Sequence, residues 1–249
     1  MGHIPGDADI AAVASVLADP GRAKILLALG DGRALAASTL AMEAGVAPST
    51  ASVHLAKLVE ADLLHVEAHG RHRYYRMAGP QVGELLEVLA RLAPAAPVRS
   101  LREGTRAHAV RTARTCYDHL AGQLGTAIMA ALLAQGALVG GDGTFDPASR
   151  ELDRLSSAGW DCDYRVTEAG RAWMDDLGVR IPAGCRRPLV RYCVDWSEQR
   201  HHLAGALGAG LLSRLVDLDW LRRSPTSRAV QVTDEGRRGL TRTLGIEMA

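Results

Sequence analysis

Two short stretches carry the residue types best able to do chemistry: Cys116-Tyr117-Asp118-His119 and Cys193-Val194-Asp195-Trp196. Each contains Cys-x-Asp. Read on a helix, Cys116 and His119 are three residues apart and share a face, a spacing that lets thiolate and imidazole ligate one metal ion. Cys193 offers a second thiol, and His201, His202 and Cys185 add donors nearby in sequence. Soft thiolate with imidazole suits zinc or copper(I). Against this, Trp196 stands where the first stretch has His119, and no pair shows C-x-x-C or H-x-x-H spacing. Three roles are open. Buried cysteine usually behaves as a small hydrophobe, with aspartate capping a helix or pairing with arginine, so packing ranks first. A pocket for a small organic inducer, walled by Tyr117, Trp173, Trp196 and Trp220 with the Cys and Asp side chains as polar anchors, ranks second. A metal or thiol-redox sensor using Cys116, His119 and Cys193 ranks third, because nothing in the sequence marks a reactive thiolate.

Catalysis has little to stand on. There is no glycine-rich phosphate loop, nucleophile elbow or metalloprotease helix, and Cys116, Asp118 and His119 packed along one helical turn do not reach the geometry of a triad. The expectation is a binding protein that requires no cofactor.

The elements that position these residues belong to an ordinary globular chain of 249 residues, 47% hydrophobic and 23% charged, with a net charge of +1. That balance excludes a disordered chain and argues neither for nor against nucleic acid, whose recognition depends on local charge. No apolar run approaches the roughly 20 residues of a membrane span. Met1–Asp9 lacks a basic flank followed by an apolar core, so a cytoplasmic location with no membrane partner is expected. Cys116, Cys162, Cys185 and Cys193 are far apart, and read as reduced thiols.

The local charge and polarity sit near the N-terminus. Asp9–Ala18 and Pro20–Leu29 read as helices, the second opened by Asp19 as cap and Pro20 in its first turn. Leu35–Ala44 stops at Gly45, and Pro48–Ala61 resumes behind a tight turn. On that last helix Ala51, Leu55, Leu58 and Val59 recur at helical spacing and face the core. Pro48, Ser49, Thr50, Ser52, Val53, His54 and Lys57 are left to meet DNA, hydroxyls and amides at a helix N-terminus being suited to base edges and phosphates. Leu63–Glu67 and His72–Met77 alternate as two strands around Ala68-His69-Gly70-Arg71, giving a β-hairpin wing with His69, Arg71, His72, Arg73 and Arg76 as cationic donors for phosphates or a minor groove. Gly79–Leu92 follows as a helix with an apolar stripe of Val82, Leu85, Leu86, Leu89 and Leu92, which could pair with Asp9–Ala18 of a second copy in a homodimer.

Three runs in this order, Leu17-Ala18-Asp19-Pro20-Gly21-Arg22-Ala23-Lys24-Ile25-Leu26, Ser49-Thr50-Ala51-Ser52-Val53-His54-Leu55-Ala56-Lys57-Leu58 and Gly70-Arg71-His72-Arg73-Tyr74-Tyr75-Arg76, resemble the ArsR/SmtB family of winged helix-turn-helix transcriptional regulators. The resemblance covers about Asp9 to Ala93. It implies a dimeric repressor that leaves its double-stranded DNA operator on sensing an inducer. Two departures stand out. Ala47, Pro48, Ser49 and Thr50 occupy the place where arsenic-sensing members have cysteines, and Gly79–Leu92 offers only Glu84 and Glu87, without histidine, where zinc-sensing members bind metal.

Beyond a proline-broken linker, Arg99–Tyr117 reads as a helix whose Arg99, Arg102, Arg106, Arg111 and Arg114 form a solvated face, a role that ranks ahead of a DNA-backbone or acidic-ligand contact. His119-Leu120-Ala121-Gly122 then recurs as His202-Leu203-Ala204-Gly205, Leu124-Gly125 as Leu207-Gly208, and Val166-Thr167 with Gly170-Arg171 as Val232-Thr233 with Gly236-Arg237. The order expected for each copy is helix, helix, hairpin and Thr-capped helix. The whole is therefore expected to be mainly α with small β-hairpin wings: a winged helix-turn-helix at 9–93, a linker helix at 94–115, and degenerate winged-helix-like repeats at 116–180 and 181–249. The repeats would sense or scaffold, with Cys116, Tyr117, Asp118, His119, Cys193, Asp195, Trp196 and His202 as the candidates that meet a metal ion or organic inducer.

Overall fold

A computed structural model describes residues 8–69, 72–94, 100–145, 156–157 and 163–248; for 69, 72, 102, 103, 156 and 157 it describes the backbone alone. The chain divides into two compact units, Met1–Gly83 and Glu84–Ala249.

The first unit begins with α1 (Ile10–Leu17) and α2 (Pro20–Ala28). Both start on an aspartate whose carboxylate accepts a hydrogen bond from a backbone N–H three residues on, Asp9 from Ala12 and Asp19 from Arg22, each at 2.9 Å. Leu35–Ala44, expected to be one helix, instead opens with a two-residue strand, β1 (Leu35–Ala36), before α3 (Ala37–Ala44). Those first two residues pair with Tyr74 and Tyr75, so sheet bonding overrides helical propensity there. Gly45 closes α3 in the left-handed region, φ 70°, and α4 (Pro48–Glu60) follows after two further residues. β2 (Leu64–His69) and β3 (His72–Met77) form the antiparallel wing in the sheet order β1-β3-β2. Ile25, Leu26, Leu29, Leu40, Leu55, Leu58 and Leu64 are all within 1% of complete burial and make the core.

The helix α5 (Pro80–Leu92) runs out of the wing and across the division at Gly83. The second unit continues with α6 (Leu101–Thr112), β4 (Arg114–Cys116), β5 (His119–Ala121), α7 (Gly122–Ala134), β6 (Leu138–Val139), β7 (Ser156–Ser157), β8 (Arg165–Val166) and α8 (Glu168–Leu177). It ends with β9 (Arg191–Val194), β10 (His201–Ala204), α9 (Gly205–Asp217), β11 (Leu221–Arg223), β12 (Val230–Val232) and α10 (Asp234–Leu244). β4 pairs with β5, β6 with β8, β9 with both β7 and β10, and β11 with β12, all antiparallel.

Two expectations fail here. The helix read over Arg99–Tyr117 stops at Thr112, and Arg114 is a fully buried strand residue rather than part of a solvated face. The helix expected to open each later copy is instead a β-hairpin, so the order is hairpin, helix, strand pair, helix. The strands of both hairpins are buried along every residue except Arg191, and that removes the alternation by which a strand is read from sequence. The Thr caps are present: Thr167 and Thr233 accept from Gly170 and Gly236 N–H at 3.0 and 2.9 Å.

Candidate nucleic-acid interface and a buried Cys-His cluster

α4 is held by its apolar side. Ala51, Leu55 and Leu58 are buried at 1% exposure or less, which turns Ser49, Thr50, Ser52, Val53 and Lys57 outward along with Pro48. Ser52 Oγ donates to Pro48 O at 2.9 Å, so its lone pairs face outward as acceptors. Val53, more than half exposed, is an apolar contact of the sort a thymine methyl accepts. His54 is the exception to the expected solvent-facing set. Its ring turns back over the start of α2, with Nε2 3.7 Å from Asp19 Oδ1, and its side chain is only 12% exposed. A Cβ at Gly21 would come within 2.8 Å of that Nε2, so a side chain there would push the His54 ring aside.

On the wing, Arg73 is exposed, whereas Arg76 is paired with Glu67 across the hairpin. His69 and His72 are register partners at the wing's end; Arg71, with Gly70, lies outside the described residues.

The second unit's chemistry is buried. Cys116 and His119 are brought together not by a helical turn but by cross-strand pairing, as facing residues of β4 and β5 around a two-residue loop in which Tyr117 has φ 56°. Cys193 and His202 are facing residues of β9 and β10 in the same way. Cys and His are nine positions apart in the second hairpin and three apart in the first, so the histidine equivalent to His119 is His202 and not Trp196. Ligand atoms of Cys116, His119, Cys193 and His202 all lie within 4.8 Å of one another, and the two imidazole centroids are 5.2 Å apart.

Two helical glycines allow this approach. A Cβ at Gly208 of α9 would meet Leu203 O at 2.7 Å and His119 Cβ at 3.1 Å, and one at Gly125 of α7 would meet Leu120 O at 2.6 Å and His202 Cβ at 3.5 Å. Each helix thus lies against its own preceding strand and the other hairpin's histidine.

Aspartates flank both rings. Asp118 Oδ1 is 3.3 Å from His119 Nδ1, and Asp195 Oδ2 is 3.4 Å from His202 Nδ1. Asp118 is paired with Arg187, and Asp195 accepts from Arg114 Nη2 at 2.9 Å and from Gly122 N–H at 2.6 Å. Arg114 also reaches to 3.6 Å from Glu87, which accepts from Arg228 at 2.6 Å, and its guanidinium lies 4.7 Å over the Trp196 ring. Burial alone would raise both aspartates, but His119 and Arg187 hold Asp118 down to about 2, and His202 and Arg114 hold Asp195 well below the usual carboxylate range. Burial works against a charged His119, yet Cys116 and Asp118 beside it push it up to about 9. Cys193 next to it and burial push the Cys116 thiol up to about 12.

The aromatic wall expected around an organic inducer is divided. Trp173 and Trp220 line a cleft of about 430 Å³ with Asp176, Arg214 and Arg242, while Trp196 is taken up under Arg114. The sequence names His202 as a possible donor but not its place opposite Cys193 in the same cluster as Cys116 and His119, and it does not show Glu87 and Arg114 as a buried pair. The repeated His-Leu-Ala-Gly was the signal for His202, because it aligns the two histidines directly.

A helix-turn-helix domain model matches residues 17–67, which hold α2 to α4 and most of the first wing strand. The uncharacterized HTH-type transcriptional regulator YdfF of Bacillus subtilis (strain 168) is 40% identical over 242 residues, 96% of this chain and 99% of that protein. Among solved structures, NolR of Sinorhizobium fredii is 30% identical, with 34% of this chain and 85% of that chain covered and a TM-score of 0.32. The cadmium metal-sensor CMTR of Mycobacterium tuberculosis is 31% identical, with coverages of 36% and 94% and a TM-score of 0.31. With an HTH relative matched along nearly its full length and the helix-turn-helix in place, the chain belongs to the HTH-type transcriptional regulators, and it is a DNA-binding protein.

Proposed function

We propose that this regulator is a homodimeric repressor that acts by binding rather than catalysis, reading its operator with α4 and taking its signal in the second unit. The observation that carries the DNA contact is the split of α4 into a fully buried apolar side and an exposed side of Ser49, Thr50, Ser52, Val53 and Lys57. Such a helix enters a major groove with its N-terminal residues at base edges. Arg73 supplies backbone contact from the wing, with Arg71, His69 and His72 assigned to the same role.

Dimerisation is supported by α1. Its sequence, IAAVASVL, is apolar at all but one position, yet none of its residues is buried, and Ile10 is 76% exposed. Leu89 and Leu92 of α5 are exposed as well, at 39% and 76%. A second copy covering these faces removes apolar surface that a lone chain leaves in water.

Hydroxyl-radical footprinting of the region upstream of the protein's own gene tests the reading. Two protected half-sites about 10–10.5 base pairs apart, or a multiple of that, are expected. Protection that follows no sequence would contradict it. Ile10→Asp should lower the sedimenting mass to that of a monomer, and an unchanged mass would place the dimer interface elsewhere.

A further inference from the structure

We propose that Cys116, His119, Cys193 and His202 form a four-coordinate site for one zinc-class divalent cation per chain. Two thiols and two imidazoles, one of each from each hairpin, give the S₂N₂ donor set that zinc takes in closed tetrahedral sites. Zinc–ligand distances of roughly 2.0–2.3 Å place tetrahedral donors about 3.3–3.8 Å apart, so a spread within 4.8 Å requires only a small contraction on binding.

The second, independent observation is the state of the imidazoles. His119 is 5% exposed and His202 is fully buried, and the Nε2 of both lacks a hydrogen-bond partner among the described residues. A buried polar nitrogen with no partner is costly, and an unpartnered Nε2 on each of two neighbouring rings calls for a shared occupant. On the far side of each ring a carboxylate faces Nδ1, Asp118 for His119 and Asp195 for His202. At His119 a proton held at Nδ1 by Asp118 leaves Nε2 to present its lone pair, the arrangement by which outer-shell carboxylates set up metal-binding histidines, whereas His202 Nδ1 makes no hydrogen bond among the described residues and Asp195 acts on it as a charge 3.4 Å away. Arg187 and Arg114 anchor the two carboxylates in turn. With both thiols deprotonated on binding, a divalent ion leaves the four donors neutral and adds no uncompensated charge to a buried site.

The ion would clamp the β4–β5 hairpin to the β9–β10 hairpin. That it is also the regulatory signal rests on the function proposed above, through Arg114 and Glu87, the latter on the helix that continues from the wing.

The full chain, stripped with a chelator under reducing conditions and titrated with cobalt(II), should take up one ion per chain with the intense visible bands of tetrahedral cobalt and a thiolate charge-transfer band in the near ultraviolet. Zinc should then displace it stoichiometrically. Cys193→Ser and His202→Gln should abolish both signals, Cys185→Ser should leave them intact, and Asp118→Asn should weaken binding by roughly 10–100-fold. Weak octahedral spectra, uptake of copper(I) alone, a Cys116–Cys193 disulfide in place of metal, or bands that survive Cys193→Ser would overturn the site. If Cys193→Ser does not fold, X-ray absorption of the zinc-loaded wild type decides: two sulfur and two nitrogen scatterers are expected, and fewer than two sulfurs overturns the proposal. Operator affinity is measured separately with and without zinc. No change there, with the cobalt spectrum intact, makes the site structural and removes only its link to regulation.

Discussion

The two units handle polar groups in opposite ways. In α4 the hydroxyl side chains of Ser49, Thr50 and Ser52 are small and exposed, while Ala51, Leu55 and Leu58 are fixed in the core. In the second unit the charged groups are the buried ones: Arg114, Asp195 and Glu87 are at most 5% exposed and pair with one another. Side chains whose hydrogen-bonding capacity is left open await a partner; side chains whose charges are closed upon each other hold a geometry. The first arrangement suits reading a DNA sequence, and the second suits positioning four donor atoms.

If that contrast is right, substitutions in the two places fail in different assays. The largest effect is expected at Arg114→Met. Its loss strands the buried Asp195 without its guanidinium and leaves Glu87 to Arg228 alone, and a buried pair broken on one side costs about 3–5 kcal/mol, read from urea unfolding. A midpoint close to wild type would mean that the network is not holding the hairpins. Next is Gly208→Ala, whose methyl group meets Leu203 O and His119 Cβ; about 1–3 kcal/mol of overpacking should appear in thermal melts, along with weaker cobalt uptake. Arg73→Ala should leave melting unchanged and reduce the salt dependence of DNA binding by about one unit of slope; identical slopes would remove Arg73 from the interface. At the small end is Arg222→Ala, which breaks an exposed pair with Asp219 and should shift neither unfolding nor DNA binding.

The first unit was legible in the sequence because its signals are local. Asp19 with Pro20, Gly45, and the spacing of Ala51, Leu55 and Leu58 each act through adjacent turns of backbone. The second unit was not, for a reason visible in Cys116 and His119. Their separation of three fits a helical face and also a two-residue hairpin, and the usual hairpin glycine is missing from Tyr117-Asp118. Strands of three and four residues, buried nearly throughout, give no alternation to break the tie. Arg114 was placed on a wet helix face because burial of an arginine is set by Asp195 and Glu87, 81 residues ahead and 27 behind, which no local pattern reveals. His54 failed at shorter range. Helical spacing put it on the open face, but the space above Gly21 admits its ring.

The central claim, that the exposed side of α4 reads base sequence, is tested most directly by fluorescence anisotropy. Wild type and Thr50→Ala/Ser52→Ala would be titrated onto the operator duplex and a scrambled duplex at one salt concentration. The wild type should prefer the operator by about 10³-fold or more, and the double variant should lose roughly 10-fold or more of that preference while melting as the wild type does. A preference retained in full by a folded double variant would contradict the assignment of α4 as the reading helix.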